Sequence, residues 1–147
     1  MVDLTQTEAD NLLRMDKIRI NDTKHNYPSL GGSLNIPLKS VNGREEFMLD
    51  ITRGYTELTK GSLQNRSRGI FILARLDYGG HPHRNPDDTK VPSPHIHLYR
   101  EGDGDKWAYP IDPKEFPNIT NAWETLKDFM RYCHIVRPPR IAKELFT

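Results

Sequence analysis

Apolar and polar residues alternate most strictly around Asn42-Gly43. Leu34, Ile36 and Leu38 precede the pair at every second position, and Phe47, Leu49 and Ile51 follow it the same way. Alternate side chains of a strand share a face, so the pattern predicts a hairpin with one buried side. Asn-Gly favours a two-residue type I′ turn, in which both residues take positive φ. Pro37 lacks an N–H and is expected to put the first strand at a sheet edge. Two other segments carry a helical period. Thr5-Gln6-Thr7-Glu8 is a capping box, and Ala9, Leu12, Leu13 and Ile18 follow it, predicting a helix over 6–19. Ile119, Ala122, Trp123, Leu126, Phe129, Met130 and Cys133 form a continuous stripe, predicting a helix over about 120–134 that ends before Pro138-Pro139.

Between these elements, Asn21–Gly32 reads as a loop and Tyr55–Lys60 as a weaker strand. Gln64–Arg68 is a polar, basic lead into Gly69–Tyr78, whose start is apolar on both faces and which is predicted to be a central strand. His95–Arg100 is a further strand, and Lys106–Ile111 returns along it after Gly102-Asp103-Gly104. Arg140–Thr147 is expected to be a loose tail. The order is helix, five to six strands, helix. Hairpin-length links make the sheet mainly antiparallel and place both helices on its apolar face, so residues 1–147 read as one α+β domain. Its expected core contains Leu34, Ile36, Phe47, Leu49, Leu73 or Ile72, Trp123, Leu126 and Phe129.

Composition narrows the classes. Of 147 residues 35% are apolar and 28% charged, so many segments need a wet face. A formal net charge of +1 gives no global field toward nucleic acid or membrane. One cysteine, Cys133, excludes an internal disulfide framework and fits a reducing compartment. Its place on the apolar stripe assigns it to packing rather than nucleophilic chemistry. No apolar run reaches the roughly 18 residues of a membrane span, and MVDLTQTEAD lacks a signal pattern. The expected location is cytoplasmic.

Chemistry concentrates in Gly79–Trp107, GGHPHRNPDDTKVPSPHIHLYREGDGDKW, which holds four of the six histidines as His81/His83 and His95/His97. On a strand, His95, His97 and Tyr99 share the polar face, while Ile96 and Leu98 face the core. Imidazoles at this spacing suit a general acid and base, or two ligands of an open metal site. Two histidines on a wet strand face also occur with no role beyond solvation. His83, His95 and His97 are the candidate catalytic residues, expected to converge on one pocket. No cofactor is fixed by the sequence; a divalent metal such as zinc is compatible with the spacing. Arg66, Arg68, Arg75, Arg84, Arg100 and Lys106 surround the same region and are candidates for holding phosphate or nucleic acid. Arg75 and Asp77 share a face directed at the histidine-rich segment.

The pieces GREEFMLDITRG, LQNRSR, RLDYGGHPHRNPD, PHIHLYREGDGDKWAYP and DFMRYCHI resemble a small bacterial family known as a domain of unknown function, over most of the chain. Pro94-His95-Ile96-His97 is also similar to the Pro-His-x-His signature of a second uncharacterised bacterial family, often found near toxin–antitoxin modules. The resemblance implies a bacterial, mobile-element, cytoplasmic protein and brings no activity. Two functions are weighed. One is a His-dependent phosphodiesterase or toxin-like ribonuclease acting on RNA. The other is a non-enzymatic binding or inhibitor module that engages a protein or nucleic acid through its polar sheet face. Convergence of the histidines on a pocket favours the first; scattering over a flat face favours the second.

Overall fold

The computed structural model describes residues 3–55 and 60–143. Helix α1 (Gln6–Arg14) is followed by β1 (Lys17–Arg19), β2 (Lys24–Asn26), β3 (Ser33–Ser40), β4 (Glu46–Arg53), β5 (Gly61–Ser67) and β6 (Phe71–Tyr78). Two short strands, β7 (His83–Arg84) and β8 (Lys90–Val91), precede β9 (His95–Leu98) and β10 (Ala108–Pro110). Helix α2 (Ala122–Tyr132) leads to β11 (Ile135–Arg137) and β12 (Arg140–Ala142). Eight strands form one sheet in the order β10-β9-β6-β5-β4-β3-β1-β11, antiparallel except for the β1–β11 pair. The fold is α+β, with more strands than the five to six expected.

Both helices cover one face. Ala9 and Leu12 of α1 and Leu126, Phe129 and Met130 of α2 pack in a single cluster with Leu38, Phe47, Leu49, Ile51, Leu63 and Leu76 of the sheet. Leu73 is in that cluster, and Leu34 and Trp123 pack against it partly buried. Ile36 is buried outside it, and Ile72 lies on the other face, paired with Arg66. The capping box forms as the sequence predicts: Thr5 Oγ1 accepts from the Glu8 N–H at 3.1 Å, and Glu8 Oε1 accepts from the Thr5 N–H at 3.1 Å.

Several expectations are corrected. Helix α1 stops at Arg14, not 19, because Lys17 and Ile18 join the sheet between β3 and β11. The hairpin after β3 is not a two-residue type I′ turn. Only Gly43 has positive φ (74°), and a Ser40–Gly43 turn is held by Asn42 Oδ1, which accepts from Ser40 Oγ and the Arg44 N–H. Strand β3 is not an edge strand, although β1 pairs only with Leu38–Ser40 and leaves Pro37 beyond the ladder. Of the stretch Gln64–Arg68, read as a lead, residues 64–67 belong to β5, a strand paired on both sides; its core-facing residues after Leu63 are Asn65 and Ser67, which hides its strand period. Residues 56–59 of the Tyr55–Lys60 expectation lie outside the described residues. The tail is not loose through Ala142, where β12 pairs in parallel with β2.

Lys17 joins the two helices. Its ammonium is fully buried and donates to the carbonyls of Leu13, Met15 and Cys133 at 2.8–2.9 Å, using all three hydrogens at the C-terminal ends of α1 and α2. It also lies 4.7 Å from the centroid of the Phe47 ring. Burial pulls its pKa down to about 8. Among the described residues no helix is long and apolar enough to cross a membrane.

Two kinds of substitution test this core by urea denaturation. Leu126→Ala or Phe129→Ala removes a fully buried side chain and should cost about 2–5 kcal/mol. Lys17→Met leaves three carbonyls without their donor and should cost about 3 kcal/mol or more. A midpoint unchanged in Lys17→Met would show that the ammonium does not join the helix ends.

Candidate functional site

The site is written across the sheet by strand register. One row of neighbours runs Asn35, Asp50, Gln64, Arg75, His97, Ala108 from β3 to β10. The next runs Ser33, Thr52, Ser62, Asp77, His95, Pro110. These positions face away from the helices, and side chains on neighbouring strands in one row lie in contact range. A bulge at Leu73, where Asn65 pairs with Ala74 and Arg66 with Ile72, reverses the facing at the start of β6. Tyr99 follows that reversal. Its ring packs edge-on against Phe71, and its hydroxyl donates to the Leu4 carbonyl, so it belongs to the core and not, as predicted, beside the histidines.

His95 and His97 are buried, not wet, because the chain after β6 folds over them. The β7–β8 hairpin is pinned to β10 by Asn85, whose side chain donates to the Ala108 carbonyl at 3.0 Å and accepts from the Ala108 N–H at 2.8 Å. This brings His83 onto the pair. Its ring centroid lies 4.5 Å from that of His97 and 5.9 Å from that of His95, and the latter two are 5.1 Å apart. The rings of the three predicted histidines therefore converge, but the cavity beside them is lined by His95 and not by His83 or His97.

Their ring nitrogens are largely engaged. His97 Nδ1 lies 2.8 Å from the Asp105 carbonyl, and His95 Nδ1 lies 3.3 Å from the Pro92 carbonyl. A carbonyl only accepts, so both Nδ1 atoms carry hydrogen, and each neutral ring turns its Nε2 lone pair inward. The two Nε2 atoms face Asp77 Oδ2, at 3.4 Å from His95 and 3.2 Å from His97. Asp77 Oδ1 accepts from Ser62 Oγ at 3.0 Å and from Arg75 Nε at 3.2 Å. Arg75 also donates to Asp105 at 2.7 Å and to His97 Nε2 at 3.0 Å. His83 Nε2 is 2.7 Å from the Lys106 carbonyl, which leaves its Nδ1 free.

Burial works to raise the Asp77 pKa, but the neighbouring His97, the Arg75 charge and the Ser62 hydroxyl outweigh it and hold the carboxyl at about 2. Burial moves His95 the other way from a stabilised cation, below the ordinary imidazole value, against the pull of Asp77.

A cavity of about 490 Å³ opens beside this group, lined by Ser62, Asp77 and His95 together with Lys60, Gly80 and His81. Lys60 and His81 are exposed, and neither has an ion-pair partner among the described residues. Sequence reasoning had not selected Ser62, Lys60 or Asp105. The register of β5 against β6 is the signal that places Ser62 next to Asp77, and it is unreadable without knowing that 61–67 is a strand.

The predicted phosphate-binding residues do not form a cluster. Arg66 forks onto Asp50 at 2.6 and 2.9 Å, Arg68 meets Glu45 at 3.1 Å, and Arg84 faces Asp88 at 3.6 Å. Arg75 is shared by Asp77 and Asp105, and Arg100 stacks on Trp107 at 4.0 Å. Lys106 is exposed, and its carbonyl rather than its ammonium touches the site. Each arginine that meets a carboxylate is neutralised where it stands. Cys133 is buried in the core, its thiol pushed up to about 12 by burial, as the sequence placed it.

The fold and this site define an α+β domain whose sheet carries two buried histidines and a partly buried aspartate at a pocket wall. The chain belongs to the family described as a family of unknown function (DUF6978), whose model matches residues 4–135. Comparison with curated proteins and with solved structures finds no match.

The pKa shifts predict how stability depends on pH in the presence of a chelator. A lowered imidazole value means that stability from His95 is present above about 6.5 and declines as pH falls below it. The depressed Asp77 value gives stability present above its ordinary 3.8 and lost as pH falls toward 2. Melting temperature against pH should show both declines, and Asp77→Asn should flatten the acid one. An unaltered acid slope in that variant would remove Asp77 from the network.

Proposed function

We propose that the chain is a hydrolase that cleaves phosphodiesters, RNA being the candidate substrate, in the pocket beside Asp77 and His95. The carrying observation is that the Asp–His–His group opens on the same cavity as an exposed imidazole, His81, and an ammonium, Lys60, with no ion-pair partner among the described residues. An ammonium at a pocket rim suits a phosphate oxygen as a point charge.

The sequence assigned proton transfer to His83, His95 and His97. Their partners support a different division. His97 has partners on both nitrogens, and His95 has its Nδ1 on the Pro92 carbonyl and its Nε2 directed at Asp77, so neither ring is the one that exchanges a proton with a substrate. His81 is at the cavity with an exposed ring. As a neutral base it takes the proton of the attacking oxygen, from water or from a neighbouring 2′-hydroxyl. The new oxygen–phosphorus bond forms, the bond to the leaving oxygen breaks, and the imidazolium returns its proton to that oxygen. His83, with Nδ1 free against His97, orients the buried pair. The sequence also assigned phosphate binding to arginines, but Arg66, Arg68, Arg75 and Arg84 are held by Asp50, Glu45, Asp77, Asp105 and Asp88, so Lys60 takes that role. The flat-face binding reading receives less support because the three histidine rings converge rather than scatter.

The test incubates the protein with labelled RNA and with bis(p-nitrophenyl) phosphate, with added divalent cations and with chelator. Cleavage should fall about 10²-fold or more in His81→Ala, and Lys60→Gln should raise KM with little change in kcat. Absence of cleavage of either substrate under every condition would refute the phosphodiesterase reading.

A further inference from the structure

We infer that Asp77, His95 and His97 form a binding site for one divalent transition metal of the zinc class, with its open position facing the cavity. The ligand atoms are Asp77 Oδ2 and the Nε2 atoms of both histidines, all within 4.8 Å of one another. The two separations from Asp77 Oδ2, 3.4 and 3.2 Å, are long for a charge-assisted hydrogen bond. They match two ligands on one tetrahedral ion, since metal–ligand bonds of about 2.0–2.1 Å put ligand atoms about 3.3–3.4 Å apart.

The surroundings of each ligand point the same way. A metal-binding imidazole commonly gives its other N–H to a carbonyl, which fixes the ring and aims the lone pair. His97 does so to Asp105 and His95 to Pro92. Ser62 and Arg75 hold Oδ1 of Asp77 and turn Oδ2 inward. Two imidazole nitrogens and one carboxylate oxygen are a donor set that suits zinc and its neighbours rather than calcium or magnesium.

Charge supplies a further reason. Asp77 and Asp105 share the guanidinium of Arg75, and of these three groups Asp77 lines the cavity. A carboxylate at the wall of a phosphate pocket repels its substrate unless a cation stands between them. Arg75 Nη2 now donates to His97 Nε2. On metal binding that one contact yields, while Nη1 on Asp105 and Nε on Asp77 keep the guanidinium in place. Of the three ligands, Asp77 and His95 line the cavity, so the fourth position is open to water or to a phosphate oxygen. An ion there lowers the pKa of its water toward about 7 and polarises the bound ester. That role rests on the phosphodiesterase reading; the site itself does not.

The experiment measures binding apart from activity. Protein dialysed against chelator is titrated with zinc by calorimetry and with cobalt(II), whose visible absorption reports tetrahedral coordination. One equivalent should bind, and Asp77→Ala, His95→Ala and His97→Ala should each weaken zinc by at least about 100-fold. Ser62→Ala, a rim change that should keep the fold, should weaken it about 10-fold through the second sphere. His25→Ala and His134→Ala, outside the site, should bind as the parent. Zinc binding without cleavage upholds the site and overturns the hydrolase reading. Cleavage unaffected by chelator and by His97→Ala overturns the ion's role in cleavage, while the titrations decide the site. The site is overturned if the parent binds no stoichiometric zinc or cobalt(II), or if Ser62→Ala binds unchanged while His134→Ala loses the ion.

Discussion

The register of β6 against β9 is the constraint on which the site depends. Arg75 stands opposite His97 and Asp77 opposite His95, while Leu76 stands opposite Ile96 on the other face. A slip of one residue would turn both histidines toward the helices and put Ile96 and Leu98 in the polar layer. The core therefore enforces the chemistry: Leu76 is fully buried in the cluster that also holds Ile96, Leu126 and Phe129. Packing on one face aligns the charged row on the other.

A second buried charge organises the helical layer without taking part in the site. Lys17 enters β1 beside β3 and reaches back to the ends of both helices. Removing an ammonium from water is costly unless its hydrogens are all accepted, and here three carbonyls accept them. Those carbonyls are among the ones a helix end leaves unpaired, so one side chain meets two needs. Asn85 works by the same logic on the opposite face, where its amide replaces a strand partner for Ala108. In both places a polar side chain pairs with backbone that no secondary-structure ladder reaches.

This division also explains what could be read from the sequence. The α2 stripe, the capping box and the β3–β4 alternation are local patterns, and each became the element it predicted to within a few residues. The convergence of His83, His95 and His97 followed from strand parity plus an intervening segment long enough to fold back. Strand β5 was not legible, because Asn65 and Ser67 occupy its buried positions and a partly polar interior erases the period. Burial of the histidines was not legible either. It results from Asn85 tying the hairpin to β10 across 23 residues, a contact that no periodicity announces. The bulge at Leu73 shifted Tyr99 to the core side, against the simple alternation that placed it with His97.

Charge pairing is where sequence proximity misled most. Six basic residues near one segment suggested an anion site, yet on a sheet the neighbours of an arginine lie on adjacent strands and not along its own. Arg66 finds Asp50 across the β4–β5 ladder, and Arg68 finds Glu45 at the end of the β3–β4 hairpin. Such pairs hold the strands in place and leave little charge for a ligand. Asp77 is the exception in the polar layer. Its carboxylate meets two imidazoles and a guanidinium already shared with Asp105, and its Oδ2 is directed between two inward-turned lone pairs. Elsewhere on this face opposite charges cancel by contact. At Asp77 the fold directs two imidazole nitrogens and a carboxylate oxygen at one point beside a cavity, and the inferred cation site rests on that arrangement.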